Sequence, residues 1–178
     1  VKAYCELKNR YPNLKLIIKD SSDLYNITLK NIINKLNIEN NTIFTTNNLS
    51  DIISISQNLN ISQLNSLYNI SDAYISPYLA EGFNLPPLEA AACGKPILVT
   101  AGGATDEYFS KEIGLQISSK KNVDSNGRTY LLPSYESLVI GIKKLIESKD
   151  SFDYKLCSDY VVKNFSWLKA VNSLVDQF

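Results

Sequence analysis

The sequence predicts an α/β fold with a Rossmann-like, doubly wound parallel sheet and helices on both of its faces. Short apolar runs alternate with amphipathic helical patterns along the chain, which is typical of βαβ units. The 178 residues are 44% hydrophobic, enough to bury a core, and extra helical patterns follow the last strand. Ligands of such folds bind at the carboxyl ends of the strands.

Five segments have the pattern of buried strands: residues 14–19, 41–46, 72–77, 96–100 and 114–119. The last of them is the weakest pattern. Residues 120–133 contain the pair Asn126-Gly127 and predict a loop or a hairpin insertion.

Helical patterns fill most of the intervals between these strands. Two apolar stripes at helical spacing consist of Leu29, Ile32, Ile33 and Leu36, and of Leu138, Ile142, Leu145 and Ile146. Ser134 is the expected N-cap of the second stripe. Residues 47–70 predict one or two short helices, and residues 151–164 and 166–177 predict two more. The opening residues read as the last turns of a helix, so we expect that the chain is truncated at its N-terminus.

The composition excludes several kinds of chemistry. The chain has no His, which excludes His-containing triads and His-ligated zinc, and we expect no metal site. Cys5, Cys93 and Cys157 are far apart, as in a cytoplasmic protein with reduced thiols. The formal net charge is zero, so no nucleic-acid surface is expected. No apolar run reaches the ~20 residues of a transmembrane segment.

The segment SPYLAEGFNLPPLEAAACGKPILVTAGG, residues 76–103, carries the densest local pattern. After a predicted strand, Gly82 permits a sharp turn and Asn84 is the expected N-cap of a helix that opens with two prolines. The amides of Gly82, Phe83, Asn84 and Leu85 are then free donors at the positive end of the helix dipole. Such a turn can hold an anion.

Glu81 and Glu89 stand eight residues apart around this turn. Carboxylates beside an anion site are suited to accept hydrogen bonds from hydroxyl groups, of which a sugar carries many. The spacing by itself is no evidence, because two glutamates often stand eight residues apart by chance in a chain of this length. A glycine turn before a capped helix is also ordinary architecture. The local pattern therefore leaves a ligand site and a purely structural turn both open.

The stretch SPYLAEGFNLPPLEAAACGKPILVTAGGATDEYF resembles the glutamate motif, E-x7-E, of group 1 (family 4) glycosyltransferases of the GT-B fold. Three further segments resemble the same family: YPNLKLIIK, ISQLNSLYNISDAYISPY and NFSWLKAVNSL. The resemblance implies that residues 1–178 are a single C-terminal, nucleotide-sugar-binding domain, one half of a GT-B enzyme.

The resemblance also implies a role for each residue of the site. Glu81 would be the catalytic residue that contacts the donor hexose, and Glu89 would bind the ribose. The remaining expected contacts are backbone near Thr45 and Thr46 for the base, and Gly82, Phe83, Asn84 and Leu85 for the sugar and the diphosphate. Three positions depart from the family pattern: Asn84 replaces a usual Gly, Tyr78 a usual Ser, and Asp106 stands near a usual Glu.

The implied function is transfer of a hexose, with retention and without a metal or other cofactor, from a UDP- or GDP-linked sugar to an acceptor. The sequence has no D-x-D pair, which agrees with metal independence. In the family, the N-terminal domain that binds most of the acceptor and the Arg and Lys that neutralise the diphosphate both lie upstream of the position that corresponds to Val1. We therefore expect this chain alone to be inactive. The alternative is a non-catalytic α/β module that binds a nucleotide or nucleotide-sugar. The donor base, sugar, acceptor and oligomeric state stay open.

Overall fold

The computed structural model describes residues 1–19 and 51–175, which fall into two compact units. The first unit lies within Val1–Asn60 and the second within Ile61–Phe178. Three predictions lie outside the described residues: the helix with the stripe of Leu29, Ile32, Ile33 and Leu36, the strand at 41–46, and the base contacts at Thr45 and Thr46. A single domain over residues 1–178 stays a prediction.

The first unit contains helix α1 (Lys2–Lys8) and two parallel strands, β1 (Leu16–Lys19) and β2 (Ile52–Ile55). The Lys8 ammonium forms a 2.6 Å ion pair with Asp51, which joins the end of α1 to the start of β2. The same hydrogen bond lowers the pKa of the Asp51 carboxyl. Helix α1 and strand β1 confirm the sequence prediction.

Strand β2 contradicts the prediction that residues 47–70 contain only helices. Its sequence IISI contains three β-branched isoleucines, which favour a strand when a neighbour is available for pairing. That neighbour is β1, in a register that runs from Leu16 opposite Ile52 to Lys19 opposite Ile55. Later in the same interval the chain does form a helix, α2 (Ile61–Ile70).

The second unit is built on a parallel sheet of order β3-β4-β5. The strands are β3 (Tyr74–Ser76), β4 (Ile97–Thr100) and β5 (Gly114–Ile117), and all three lie inside predicted strand segments. The central strand β4 is buried along its whole length, as expected for a parallel strand covered on both faces. Because the strands are parallel, their carboxyl ends meet at one edge of the sheet.

Four helices complete this unit together with α2. They are α3 (Leu85–Ala92), α4 (Tyr135–Glu147), α5 (Tyr154–Phe165) and α6 (Trp167–Val175), with short 3-10 turns at Ala104–Glu107 and Lys149–Ser151. Ser134 caps α4 as predicted, because its hydroxyl accepts a hydrogen bond from the amide of Ser137. Within residues 1–19 and 51–175, no helix has both the length and the apolar character needed to cross a bilayer.

The two faces of β4 are covered by different helices. Ile97 and Val99 belong to a buried cluster that contains alanines of α3 and, from α5, Cys157. Leu98 faces the other way and belongs to a second cluster with Leu145 of α4. Helix α4 approaches closely at Gly141, where a Cβ would stand 2.7 Å from a methyl carbon of Leu98. This arrangement confirms helices on both faces of the sheet.

The predicted insertion at residues 120–133 is an antiparallel hairpin of β6 (Ser119–Val123) and β7 (Thr129–Pro133). Its turn contains Gly127 at φ +77°, a conformation that glycine adopts without strain. The amide of Leu131 in β7 donates a 2.7 Å hydrogen bond to the carbonyl of Leu79. The hairpin is thereby attached to the loop that follows β3.

Candidate functional site

The turn between β3 and α3 depends on Asn84, which adopts a left-handed conformation with φ +62° and ψ +67°. The sequence predicted that its side chain caps α3, but the side chain forms no capping hydrogen bond and instead donates a 2.9 Å hydrogen bond to the Ser76 hydroxyl. Its carbonyl accepts a 2.8 Å hydrogen bond from the hydroxyl of Tyr108. Asparagine tolerates this conformation better than other non-glycine residues, which explains why it can replace the glycine of the family pattern.

Gly82 does not have the role that the sequence predicted for it. Asn84 is the one non-glycine residue with a positive φ among the described residues, and Gly82 is absent from the glycines that share this conformation. A Cβ on Gly82 would meet no atom within 4 Å. The local turn therefore requires neither the backbone freedom nor the small size of Gly82.

The backbone amides of this turn are available to a ligand. Those of Gly82, Phe83, Asn84 and Leu85 donate to no other residue of the described chain. They precede or begin α3, where the helix dipole favours a negative charge. The arrangement has the features of an anion-binding turn, and the binding role of these four residues stays a prediction.

Glu81 lines a pocket of about 230 Å³. The pocket is lined by residues 78–81, 102–104 and 129–131, together with Lys121. These segments follow β3, β4 and β5, so the pocket lies at the carboxyl edge of the sheet, where α/β folds bind ligands. The Glu81 side chain is exposed and accepts no hydrogen bond within the described ranges.

Glu89 is also exposed, but one of its carboxylate oxygens already accepts a hydrogen bond from the protein. Its Oε2 atom accepts a 2.8 Å hydrogen bond from the hydroxyl of Tyr68, a buried residue near the end of α2. Burial and this hydrogen bond both raise the pKa of Tyr68, so the phenol stays a donor. Sequence reasoning missed this contact, although Tyr68 stands in a segment that resembles the family.

Tyr74 connects the surroundings of the two glutamates. Burial raises the pKa of Tyr74, and the negative charges of Glu89 and then Glu81 raise it further. Its ring meets that of Tyr68 edge to face, with centroids 5.9 Å apart. The structure therefore brings Glu81, Glu89 and the free amides to the same edge of the sheet, as the motif predicted.

A buried hydrogen-bond network fastens the loop after β3 to the loop after β4. The Tyr78 hydroxyl is 3.0 Å from the Thr105 hydroxyl and accepts a 3.2 Å hydrogen bond from the Thr105 amide. The Thr105 hydroxyl donates to the carbonyl of Thr100, and the Thr100 hydroxyl donates to the carbonyl of Tyr78, both at 3.0 Å. Tyr78, which the sequence marked as a departure from serine, is thus part of the support of the site.

Asp106 orients the glycine pair at the rim of the pocket. Its carboxylate accepts from the amide of Gly102 at 2.9 Å and from the side chain of Gln116 at 2.7 Å. At Gly103 a Cβ would stand 2.8 Å from both a Leu131 methyl carbon and the Tyr78 hydroxyl. A Cβ at the second glycine would therefore displace the ends of both side chains.

A larger cavity of about 450 Å³ lies at the opposite edge of the sheet. It is lined by the start of β5 and the end of α4, and it contains Lys111, Lys144 and Ser148. No residue of the glutamate motif reaches it. Residues 1–19 and 51–175 contain no group of three acidic, Cys or His side chains that could hold a metal ion.

Comparison with known proteins identifies the fold and the family. The family described as "Glycosyl transferases group 1" matches residues 1–156. A sucrose-phosphate synthase from Thermosynechococcus elongatus superposes on 99% of this chain and 41% of its own, with a TM-score of 0.66 and 20% identity. This likeness confirms the Rossmann-like half of a GT-B fold.

Two curated relatives are similar in sequence. A D-inositol 3-phosphate glycosyltransferase from Arthrobacter sp. (strain FB24) is 27% identical over 128 residues, 70% of this chain and 28% of that protein. An MMP alpha-(1->4)-mannosyltransferase from Mycolicibacterium hassiacum is 39% identical over 64 residues, 36% of this chain and 16% of that protein. The chain thus spans less than a third of the length of either relative. Since the family match covers most of its residues, this chain belongs to the group 1 glycosyl transferases.

Proposed function

We propose that this chain is the donor-binding domain of a retaining, metal-independent hexosyltransferase that uses a UDP- or GDP-linked sugar. The observation that supports this proposal is the grouping at one edge of the sheet. The turn before α3 has four unpaired backbone amides, with Glu81 on one side and Glu89 on the other. Glu81 is exposed, and only one carboxylate oxygen of Glu89 accepts a hydrogen bond from the protein. Nucleotide-sugars present a diphosphate, a ribose and a hexose, and these three groups match the three kinds of protein group.

The free amides and Glu89 bind the nucleoside diphosphate in this proposal. The amides of the α3 turn donate to the diphosphate oxygens, and they also stabilise the charge that develops there when the sugar leaves. The Oε2 atom of Glu89 is held by Tyr68, so the carboxylate is already oriented. Its other oxygen accepts from a ribose hydroxyl.

Glu81 acts on the transferred hexose in this proposal. It holds a hydroxyl of the sugar, and this contact strengthens as the sugar gains positive charge on the way to the transition state. The rest of the enzyme binds the acceptor for the most part and supplies further cations for the diphosphate. The isolated chain is therefore expected to bind the nucleotide without transferring sugar, and we retain the cytoplasmic location predicted from its unpaired cysteines.

Calorimetric titration of the chain with UDP and with GDP tests the proposal. Glu89→Ala is expected to weaken binding of the preferred nucleotide about tenfold, since losing a charged hydrogen-bond acceptor typically costs about 1.5–3 kcal/mol and this one is exposed. Glu81→Ala is the matched control, because it removes the same carboxylate from the other side of the turn, and it is expected to change the affinity by less than about twofold.

Equal losses in the two variants would contradict the assigned roles, and binding of neither nucleotide would contradict the function itself. Product analysis of the full-length protein with a panel of nucleotide-sugars then distinguishes a transferase from a binding module. A module would bind the donor and leave every acceptor unchanged.

A further inference from the structure

A lysine of the β6–β7 hairpin lines the same pocket as Glu81. Lys121 lies in the middle of β6, its side chain is exposed, and it forms no ion pair with any residue of the described chain. The sequence motif did not predict a cationic side chain at this pocket. An unpaired ammonium group at a pocket wall is available to a negatively charged ligand.

The hairpin holds Lys121 on the side that faces the site. In the strand register Lys121 stands opposite Leu131, whose side chain is buried and whose amide binds the Leu79 carbonyl. Two residues earlier on the same face, the Ser119 hydroxyl donates a 2.6 Å hydrogen bond to the carbonyl of Ala101. Successive side chains of a strand alternate between faces, so Lys120 belongs to the opposite face.

The position of Lys121 associates it with the sugar rather than with the diphosphate. Its pocket contains Glu81 but none of residues 82–85, whose amides are proposed to hold the diphosphate. One wall of the pocket thus carries a carboxylate, and the hairpin wall carries an ammonium group. A sugar with hydroxyls on one side and an anionic group on the other would complement both walls.

We propose that Lys121 makes the pocket selective for a sugar that bears a carboxylate or phosphate group. The inference rests on the proposed function, because that function places a sugar beside Glu81. The anionic sugar is either the one transferred from the donor or the one that accepts it. In both cases an anionic group of the sugar pairs with the Lys121 ammonium group. Titration with nucleotide-sugars detects an anionic donor sugar, and titration with free sugars detects an anionic acceptor.

The test is calorimetric titration at low ionic strength, in two arms: the donor arm uses this chain, and the acceptor arm uses the full-length protein, which supplies most of the acceptor contacts. The donor arm compares UDP-glucose with UDP-glucuronate and GDP-mannose with GDP-mannuronate. The acceptor arm compares glucose with glucose 6-phosphate in the presence of saturating UDP or GDP. In one arm the charged member is expected to bind about fivefold more tightly, the upper range for an exposed ion pair.

Lys121→Met is expected to abolish this preference, and Lys121→Arg is expected to retain it. Lys120→Met is the matched control, because it removes the same charge from the adjacent residue on the other face, and it should leave the preference unchanged. Added salt should reduce the preference of the parent chain, since exposed charges are screened.

Two results would overturn the inference: no preference in either arm, or a preference that survives Lys121→Met. If Lys121 only balances the charge of Glu81, its replacement will change the affinities for the neutral and the charged sugar equally, which also overturns it. Binding of UDP or GDP without any preference would refute this inference alone. Failure to bind either nucleotide would refute the proposed function and this inference with it.

Discussion

The two glutamates of the motif have different surroundings, although they stand at either end of one turn. Glu89 lies on a helix, and a buried tyrosine donates a hydrogen bond to one of its oxygens. Glu81 lies on an exposed loop and accepts no hydrogen bond within the described part of the chain. A carboxylate that is held in place suits a ligand group that does not change during a reaction. An unheld carboxylate can form its main contact in the transition state.

The largest expected effect concerns Glu81 in the full-length enzyme. Glu81→Gln keeps the shape of the side chain and one acceptor but removes the charge. We expect kcat to fall by about two orders of magnitude while the donor KM changes little, as when stabilisation of the transition state alone is lost. Steady-state kinetics measure both constants.

A melting curve of the same variant is the control for this experiment. If Glu81 only braces the loop, the substitution will lower the melting temperature and leave turnover within a few-fold of the parent. That outcome would remove the functional difference between the two glutamates.

The next effect concerns the backbone that presents Glu81. Asn84→Ala places at φ +62° a residue that tolerates this conformation less well than asparagine, and it deletes the hydrogen bond to Ser76. We expect the free energy of unfolding to fall by about 1–2 kcal/mol, the cost of a left-handed conformation for most residues. Urea denaturation of the chain measures this change.

Asn84→Gly separates the two causes, because glycine adopts the same backbone conformation without strain but also lacks the side chain. We expect this variant to lose less than about 1 kcal/mol, the typical net value of one hydrogen bond. Equal losses for the alanine and glycine variants would show that the contact with Ser76, rather than the backbone conformation, decides the stability of the turn.

The smallest effect concerns the support of Glu89. Tyr68→Phe removes only the hydroxyl that donates to Glu89, so nucleoside diphosphate affinity should fall about threefold to tenfold, the net worth of a single hydrogen bond. Tyr74→Phe is the matched control, because its hydroxyl forms no hydrogen bond within residues 1–19 and 51–175. Calorimetry with the preferred nucleotide compares the two variants.

The loss in Tyr68→Phe should be constant between about pH 6 and pH 9. Burial and the neighbouring Glu89 raise the pKa of Tyr68 above its usual value of 10.0. A raised pKa means that the protonated phenol, which is the donor, persists below pH 10 and is lost only as the pH rises further. A loss that disappears within this range would show that Tyr68 does not act through its hydroxyl.

Local patterns predicted much of the described fold, since they depend on neighbouring residues. The apolar runs at residues 14–19, 72–77 and 96–100 each contain a strand, and Ser134 caps its helix. Asparagine followed by glycine marked the hairpin turn. The position of Glu81 and Glu89 around one turn also followed from the motif, because strand, turn and helix are contiguous in the chain.

Other features depend on contacts between residues that are distant in the sequence. Tyr68 and Glu89 are 21 residues apart, and the Tyr108 hydroxyl reaches a carbonyl 24 residues away. Strand β2 forms because β1 is present to pair with it, whereas its own four residues lie within a helix-like pattern. No local periodicity contains this information, so the prediction of helix there was wrong.

The sequence alone determined the family, the order of the β3–β5 strands along the chain and the turn that carries the motif, because these depend on residue identity and short-range spacing. Only the tertiary structure decided which carboxylate accepts a hydrogen bond from a buried tyrosine, which side chains pack against Gly103, and which lysine lines the pocket. These features arise where separate loops meet at the edge of the sheet. Their contacts depend on distances in space, which the spacing of residues along the chain does not specify.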